Sequence, residues 1–280
     1  MNSRQIKKTV VITGGSGVLG RTMAKHFLML GAKVAILGRN RKKAESVATQ
    51  ISATETNRNI IGLSVDVLNK ESLTEAKMKV NERFGPCEIL INAAGGNAPE
   101  GTTSKSFFHE EDIRDKDIRS FFDLSQEGLQ YVSDLNYLGT LLPTQVFARD
   151  MIGKEGCSVL NVSSMSAYLP LTKVGAYSNA KAAINNLTQW LAVHFSKVNI
   201  RVNAIAPGFF ITEQNRRLLT NEDGSLTERG QQVIARTPMD RFGDPEELLG
   251  AVEWLCSDSA KFVTGIIVPV DGGFSAYSGV

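Results

Sequence analysis

The chain reads as a single doubly wound α/β domain, a seven-stranded parallel sheet with helices on both faces. Two observations predict this. Seven short runs rich in β-branched residues recur from end to end, and a longer stretch of helical character follows each of the first six. The first run leads at once into a glycine-rich turn that opens an amphipathic helix. Right-handed crossovers then put helices on both faces and ligands at the carboxyl ends of the strands, where the functional residues should gather.

The first strand, TVVI at 9–12, runs into Thr13, Gly14, Gly15, Ser16, Gly17, Val18, Leu19 and Gly20, with a helix starting near Val18. Gly15, Gly17 and Gly20 satisfy GxGxxG. Such glycines let backbone approach a dinucleotide pyrophosphate, which the first helical N–H groups and the helix dipole then hold. The turn departs from the commoner TGxxxGxG spacing, so the amide that meets the pyrophosphate is open by one residue. The second strand, 33–37, ends at Gly38, Arg39, Asn40 and Arg41. No carboxylate stands there for the adenosine ribose, and Arg39 suits a 2′-phosphate. NADP(H) is therefore favoured, with NAD(H) as the alternative. Equally, Arg39 and Arg41 fit a solvated helix start.

The third strand, 60–65, delivers Asp66 and Val67. Asp66 has two readings, as acceptor for the adenine amino group or as cap of a helix over 69–83. After the fourth strand, 88–91, the turn Asn92, Ala93, Ala94, Gly95, Gly96 brings bare backbone to the cofactor. A long polar excursion with apolar punctuation covers about 96–134. The fifth strand, 158–162, leads to Ser163 and Ser164. A helix over about 175–197 carries Tyr177 and Lys181, four residues apart and so on one face. The sixth strand, 200–205, ends at Pro207-Gly208, a second excursion fills about 209–244, and the seventh strand spans 266–270. Excursions of this length at a carboxyl edge are lids or binding loops.

Composition narrows the function. With 31 Lys and Arg against 29 Asp and Glu, the net charge is only +2 and no basic run occurs, which disfavours nucleic acid. The three cysteines, Cys87, Cys157 and Cys256, are far apart and match neither a disulfide framework nor a metal site. A soluble protein of the reducing cytoplasm is expected, without a targeting signal or a membrane span.

Chemistry centres on Tyr177. An ammonium beside a phenol stabilises phenolate and pulls its pKa from about 10 towards working pH, which makes Tyr177 a general acid/base. Ser164 is placed to hydrogen-bond a substrate oxygen as charge develops on it.

These elements together resemble the short-chain dehydrogenase/reductase family. The match comprises TGGSGVLG, Asp66, NAAG at 92–95, Asn136, Ser164, YSNAK, IRVNAIAPGFF and VDGG at 270–273, in family order along nearly the whole chain. The resemblance implies a catalytic tetrad of Asn136, Ser164, Tyr177 and Lys181. Lys181 also holds the nicotinamide ribose, Asn136 sits in a helix irregularity where it keeps a water, Phe210 and Thr212 lie at the cofactor, and no metal is needed. It also implies homodimers or homotetramers built from helices over about 136–152 and 175–197 and the C-terminal strand region, although those helices equally suit core packing.

Beyond the general family, the 96–134 excursion, SSMSAYLPLTKVGAYSNAKAA, PGFFITEQNRRLLTNEDGSLTERG, TPMDRFGDPEEL and the terminal VDGGFSAYSGV resemble the group of D-mannonate oxidoreductases (fructuronate reductases) within it. A sugar-acid substrate follows from that likeness. Asn97, Ser166, Gln214 and Asn215 are candidate polar contacts, and Arg216 or Arg217 a carboxylate partner, although both arginines also fit a solvent-facing helix. Phe209 and Phe210 read as packing. The alternatives are a gluconate 5-dehydrogenase-like or 3-oxoacyl-carrier-protein reductase-like enzyme, or a catalytically silent dinucleotide-binding protein.

Overall fold

The computed structural model describes residues 5–55, 58–212 and 215–279. Its sheet has seven parallel strands in the order β3-β2-β1-β4-β5-β6-β7. They are β1 Thr9–Thr13, β2 Lys33–Gly38, β3 Ile60–Ser64, β4 Ile89–Asn92, β5 Cys157–Val162, β6 Ile200–Pro207 and β7 Ile267–Val270. The order reverses between β1 and β4, which leaves a crevice at their carboxyl ends.

The central strands are buried along almost their whole length because both faces are covered. On β1, Val10 and Ile12 face one core with α1 (Val18–Met29), α2 (Arg41–Glu55) and a C-terminal helix, while Val11 faces the other. That second core takes Leu73, Ala76 and Val80 from α3 (Lys70–Phe84) and Leu187 and Leu191 from the long helix that carries Tyr177.

Three departures from the sequence reading have local causes. The side chain of Asn69 caps α3, accepting from the Ser72 N–H at 2.8 Å. Asp66 therefore does not cap it; its carboxylate accepts instead from the Leu68 N–H at 3.0 Å. The helix expected over 136–152 is broken into α4 (Gln126–Ser133), a π-helical turn over Asp134–Leu138 and α5 (Gly139–Phe147), with a 3-10 turn over Ala148–Met151. One wide turn inserts a residue into the helical register, a common device at functional sites. The third, α6 (Gly175–His194), stops short of 197, and Asn199 in the left-handed region at φ 62° ends the 3-10 turn after it.

In the 209–244 excursion lie α7 (Arg216–Leu219) and α8 (Glu228–Ala235), and α9 (Leu249–Cys256) follows. No helix among the described residues is long and apolar enough to cross a membrane.

Beneath the crevice runs a buried polar chain of hydrogen bonds. The Asn92 amide donates to Thr144 Oγ1 and Asn161 Oδ1, both at 2.9 Å, and Asn161 donates to Thr188 Oγ1 at 2.9 Å. These bonds tie α5 and α6 to the sheet. Asn92 does not line the crevice, so its side chain fixes the site rather than meeting a cofactor. Asn92→Leu should lower stability by about 1–3 kcal/mol, read from urea unfolding, because it orphans Asn161 Oδ1 inside the protein.

Candidate active site

A cleft of about 400 Å³ crosses the carboxyl ends of β2, β1, β4, β5 and β6. Five neighbouring strands span roughly 20 Å, enough for an extended dinucleotide.

At one end the chain turns sharply after β1. Gly14 is left-handed at φ 65°, and its carbonyl accepts from the Gly17 N–H at 2.9 Å. Gly17 is the helix N-cap and lacks a side chain to fill that role, so the first-turn amides of Val18 and Leu19 are offered to the cleft. A Cβ on Gly20 would lie 2.5 Å from the Gly14 carbonyl oxygen, so the third glycine lets α1 close on the turn. Gly15 departs from its expected contact: its N–H donates to Leu37 O at 3.3 Å and it does not line the cleft.

Beyond the turn, Ser16, Gly38 and Arg39 line the cleft, with the Arg39 guanidinium 3.4 Å from the Tyr131 hydroxyl. Lys43 lines it too, a cation that reads in the sequence as part of a solvated helix. Asn40 faces away from this role, accepting from the Lys43 N–H at 3.0 Å as a cap of α2. Arg41 pairs with Glu45 at 2.7 Å and belongs to the solvated helix start. Asp66 is exposed and outside the cleft, whereas Val67 lines it with Leu37 and Val65.

In the middle, Ala93, Ala94 and Gly95 form the floor. Thr13 Oγ1 accepts from the Ala93 and Ala94 N–H groups at 3.1 and 3.2 Å, fastening this loop to the β1 turn. Buried in the π-turn, Asn136 grips Gly96 from both sides. Its Nδ2 donates to Gly96 O at 2.7 Å and its Oδ1 accepts from the Gly96 N–H at 3.2 Å. A Cβ on Gly95 would lie 2.7 Å from Asn136 Oδ1 and 3.3 Å from Lys181 Nζ, so only glycine lets both approach. Asn136 itself does not line the cleft.

At the far end stand Ser164, Tyr177 and Lys181, all on the cleft wall. Ser164 caps a 3-10 turn and accepts from the Ser166 N–H at 3.1 Å, with its hydroxyl turned to the same wall as the Tyr177 phenol. Lys181 Nζ donates to Val162 O at 2.9 Å and lies 5.5 Å from the centre of the Tyr177 ring. Burial pushes the Lys181 ammonium down to about 8. Burial also raises the Tyr177 phenol above its ordinary value, with Ser164 opposing it. The lowering of the phenol expected from Lys181 is opposed by burial, the larger influence on this hydroxyl. One consequence concerns stability. Because the lysine's folded pKa is depressed, the penalty for burying its charge is present in full below pH 8 and disappears as pH rises to about 10.5. The wild-type protein should gain stability relative to Lys181→Met over that interval, as urea titrations at several pH values would read.

Pro207, Gly208, Phe210, Thr212 and Asn215 complete the wall. Asn215 bridges the Thr212 N–H at 2.7 Å and the Phe210 carbonyl at 2.8 Å. Phe209 packs on Phe274 at 5.4 Å between ring centres, and a Cβ on Gly243 would meet the Phe210 ring at 2.5 Å. The remaining substrate candidates are not on the wall. Asn97 is exposed and bonded to Thr102 at 2.8 Å, and Arg216 and Arg217 are exposed on α7. Ser166 is buried, its hydroxyl without a partner among the described residues. Gln214 lies outside the described residues. The three thiols are free and buried, and no group of three or more potential ligands that could hold a metal occurs among the described residues.

Comparison with known proteins fits this geometry. Residues 16–275 match a family model described as enoyl-(acyl carrier protein) reductase. An uncharacterized oxidoreductase of Haemophilus influenzae is 49% identical over 274 residues, 98% of this chain and 95% of its own. The uncharacterized oxidoreductase UxuB of Bacillus subtilis is also 49% identical, over 98% of this chain and 96% of its own. A crystal structure from Haemophilus influenza, described with D-mannonate oxidoreductase as its suggested activity and with bound NAD, superposes with a TM-score of 0.94 at 48% identity, covering 99% and 98% of the two chains. The chain belongs to the short-chain dehydrogenase/reductase family, NAD(P)-dependent oxidoreductases acting on alcohols and ketones.

Proposed function

We propose that the protein interconverts D-fructuronate and D-mannonate with NAD(P)(H), using Ser164, Tyr177 and Lys181 at the reacting carbon and Asn136 to position them. The observation that carries the chemistry is the gathering of Ser164, Tyr177 and the buried Lys181 ammonium on one cleft wall. Likeness over the full chain to the Haemophilus structure with the suggested mannonate activity favours this substrate.

The dinucleotide fits what the cleft offers: unfilled amides at Val18 and Leu19, a floor kept bare at Gly95, and cations at Arg39 and Lys43. Bound there, it supplies or accepts the hydride. In reduction, Tyr177 donates its proton to the carbonyl oxygen and the Ser164 hydroxyl holds the same atom as charge develops. The Lys181 ammonium offsets the phenolate left on Tyr177. Asn136, through Gly96, keeps the Gly95 floor open for Lys181 and for the cofactor. In oxidation the proton runs the other way.

NAD is the dinucleotide that the Haemophilus neighbour holds, while the preference for NADP(H) rests on Arg39, with Lys43 beside it. Arg39→Gln should raise KM for NADPH about tenfold, the weight of one charge-assisted phosphate contact, and raise that for NADH less. Equal effects on both would remove Arg39 from 2′-phosphate recognition. The protein acts in the cytoplasm, a placement favoured by its three free buried thiols. It assembles as a homo-oligomer; Trp190 and Val193, 57% and 77% exposed on α6, favour this, and light scattering measures it.

A substrate panel tests the reading. Fructuronate, 5-ketogluconate, tagaturonate and an acetoacetyl thioester are offered with NADH and with NADPH. Fructuronate should give the highest kcat/KM; faster turnover of another member, with fructuronate inert, moves the protein to a different short-chain reductase activity.

A further inference from the structure

The hydride-carrying ring of a dinucleotide must lie at the catalytic end of the cleft, because hydride and the Tyr177 proton go to one carbonyl. β6 ends there at Pro207, beside β5 and Ser164, and the chain beyond it adds Phe210, Thr212 and Asn215 to the wall. Having left the sheet, this stretch needs other anchors. One is an isolated bridge from Phe210 to Gly243, whose N–H donates to Phe209 O at 3.0 Å.

Asn215 is the other anchor. It stands at the N-terminal boundary of α7, where an asparagine ordinarily accepts from an N–H of the following turn. No such bond forms. The side chain turns back instead, its Oδ1 accepting from the Thr212 N–H at 2.7 Å and its Nδ2 donating to Phe210 O at 2.8 Å. Meanwhile the Thr212 carbonyl accepts from the Asn215 and Arg216 N–H groups at 3.3 and 2.9 Å. Both backbone groups of Thr212 are thereby engaged. Its hydroxyl, without a partner among the described residues, is what it can offer the cleft. Closing this ring takes a donor and an acceptor on one short side chain, which an amide has. An aspartate would set an oxygen against the Phe210 carbonyl, and a leucine would meet neither group.

We infer that Asn215 is a positioning residue for dinucleotide binding: its amide folds the Phe210–Thr212 segment against the catalytic end, so that this wall meets the redox ring in a fixed shape. The reading of Asn215 as a substrate contact gives way to a role exerted through its neighbours. The inference needs a dinucleotide in the cleft and holds for whichever carbonyl compound is reduced.

Fluorescence titration with NADH and with NADPH, in the absence of substrate, keeps the test independent of the D-fructuronate assignment. Asn215→Leu should raise Kd about tenfold, the weight of two modest hydrogen bonds. Its preference between the two dinucleotides should not change, since both carry the same redox ring, and the urea midpoint should stay near wild type. Asn215→Asp separates positioning from capping. Aspartate caps a helix as well as asparagine does, so a residue that merely started α7 would tolerate it, and wild-type Kd in Asn215→Asp overturns the inference. As a bridge the aspartate fails, and Kd should rise at least as far as in Asn215→Leu. Thr212→Val combined with Asn215→Leu should bind about as weakly as the weaker single variant, because both losses fall on one segment. Fully additive losses, or a rise confined to KM for the carbonyl substrate while dinucleotide Kd is unchanged, also overturn it.

Discussion

Tyr177→Phe is expected to reduce turnover by about 10²- to 10⁴-fold, the usual weight of a positioned general acid, while dinucleotide affinity changes little. The substitution removes one oxygen. Ser164 keeps its bond from the Ser166 N–H and Lys181 keeps its bond to Val162 O, so the wall around the missing hydroxyl stays in place. Single-turnover reduction and a fluorescence titration with NADH separate the two effects. Near-wild-type turnover would remove Tyr177 from proton transfer, and parallel loss of NADH binding would make it a cofactor contact instead.

The second large effect should come from Gly14→Ala. At φ 65° a Cβ is strained in any surroundings, and here it would meet the Ala93 carbonyl oxygen at 2.6 Å and the Ala94 α-carbon at 2.8 Å. Both neighbours are backbone and cannot swing aside. They also belong to the loop that Thr13 fastens, so the β1 and β4 turns would be forced apart at the point where the strand order reverses. A loss of about 2–4 kcal/mol is expected, against total stabilities of about 5–15 kcal/mol for domains generally. Dinucleotide affinity should fall with it. Unchanged urea midpoint and Kd would contradict the close packing of the two turns.

Much of this architecture is readable from residue pattern because strands covered on both faces are mostly apolar and leave little choice of boundary. The strand runs at 9–12 and 33–37 differ from β1 and β2 by one residue each. What pattern cannot supply is direction. Asn40, Asp66, Asn92 and Asn97 all carry side chains suited to a cofactor or substrate. In the structure Asn40 caps a helix, Asp66 receives a neighbouring N–H, Asn92 braces the sheet and Asn97 bonds Thr102. Short polar side chains satisfy nearby backbone as readily as they meet ligands, and only packing decides which. Lys43 escapes a reading of pattern for the converse reason, since a lysine in the first turn of an amphipathic helix looks like solvated surface. The π-turn at Asn136 stays hidden because one extra residue in a helix hardly disturbs apolar periodicity, while it changes which side chains turn inward. The phenol's raised pKa likewise follows from burial, a quantity absent from the spacing of Tyr177 and Lys181.

The most direct measurement is product identification after incubation of purified wild-type protein with D-fructuronate and reduced nicotinamide cofactor. D-mannonate should form with one cofactor oxidised per product. Cofactor oxidation with a different product, or none while another carbonyl of the panel is rapidly reduced, would contradict the assignment of this cleft to a sugar acid.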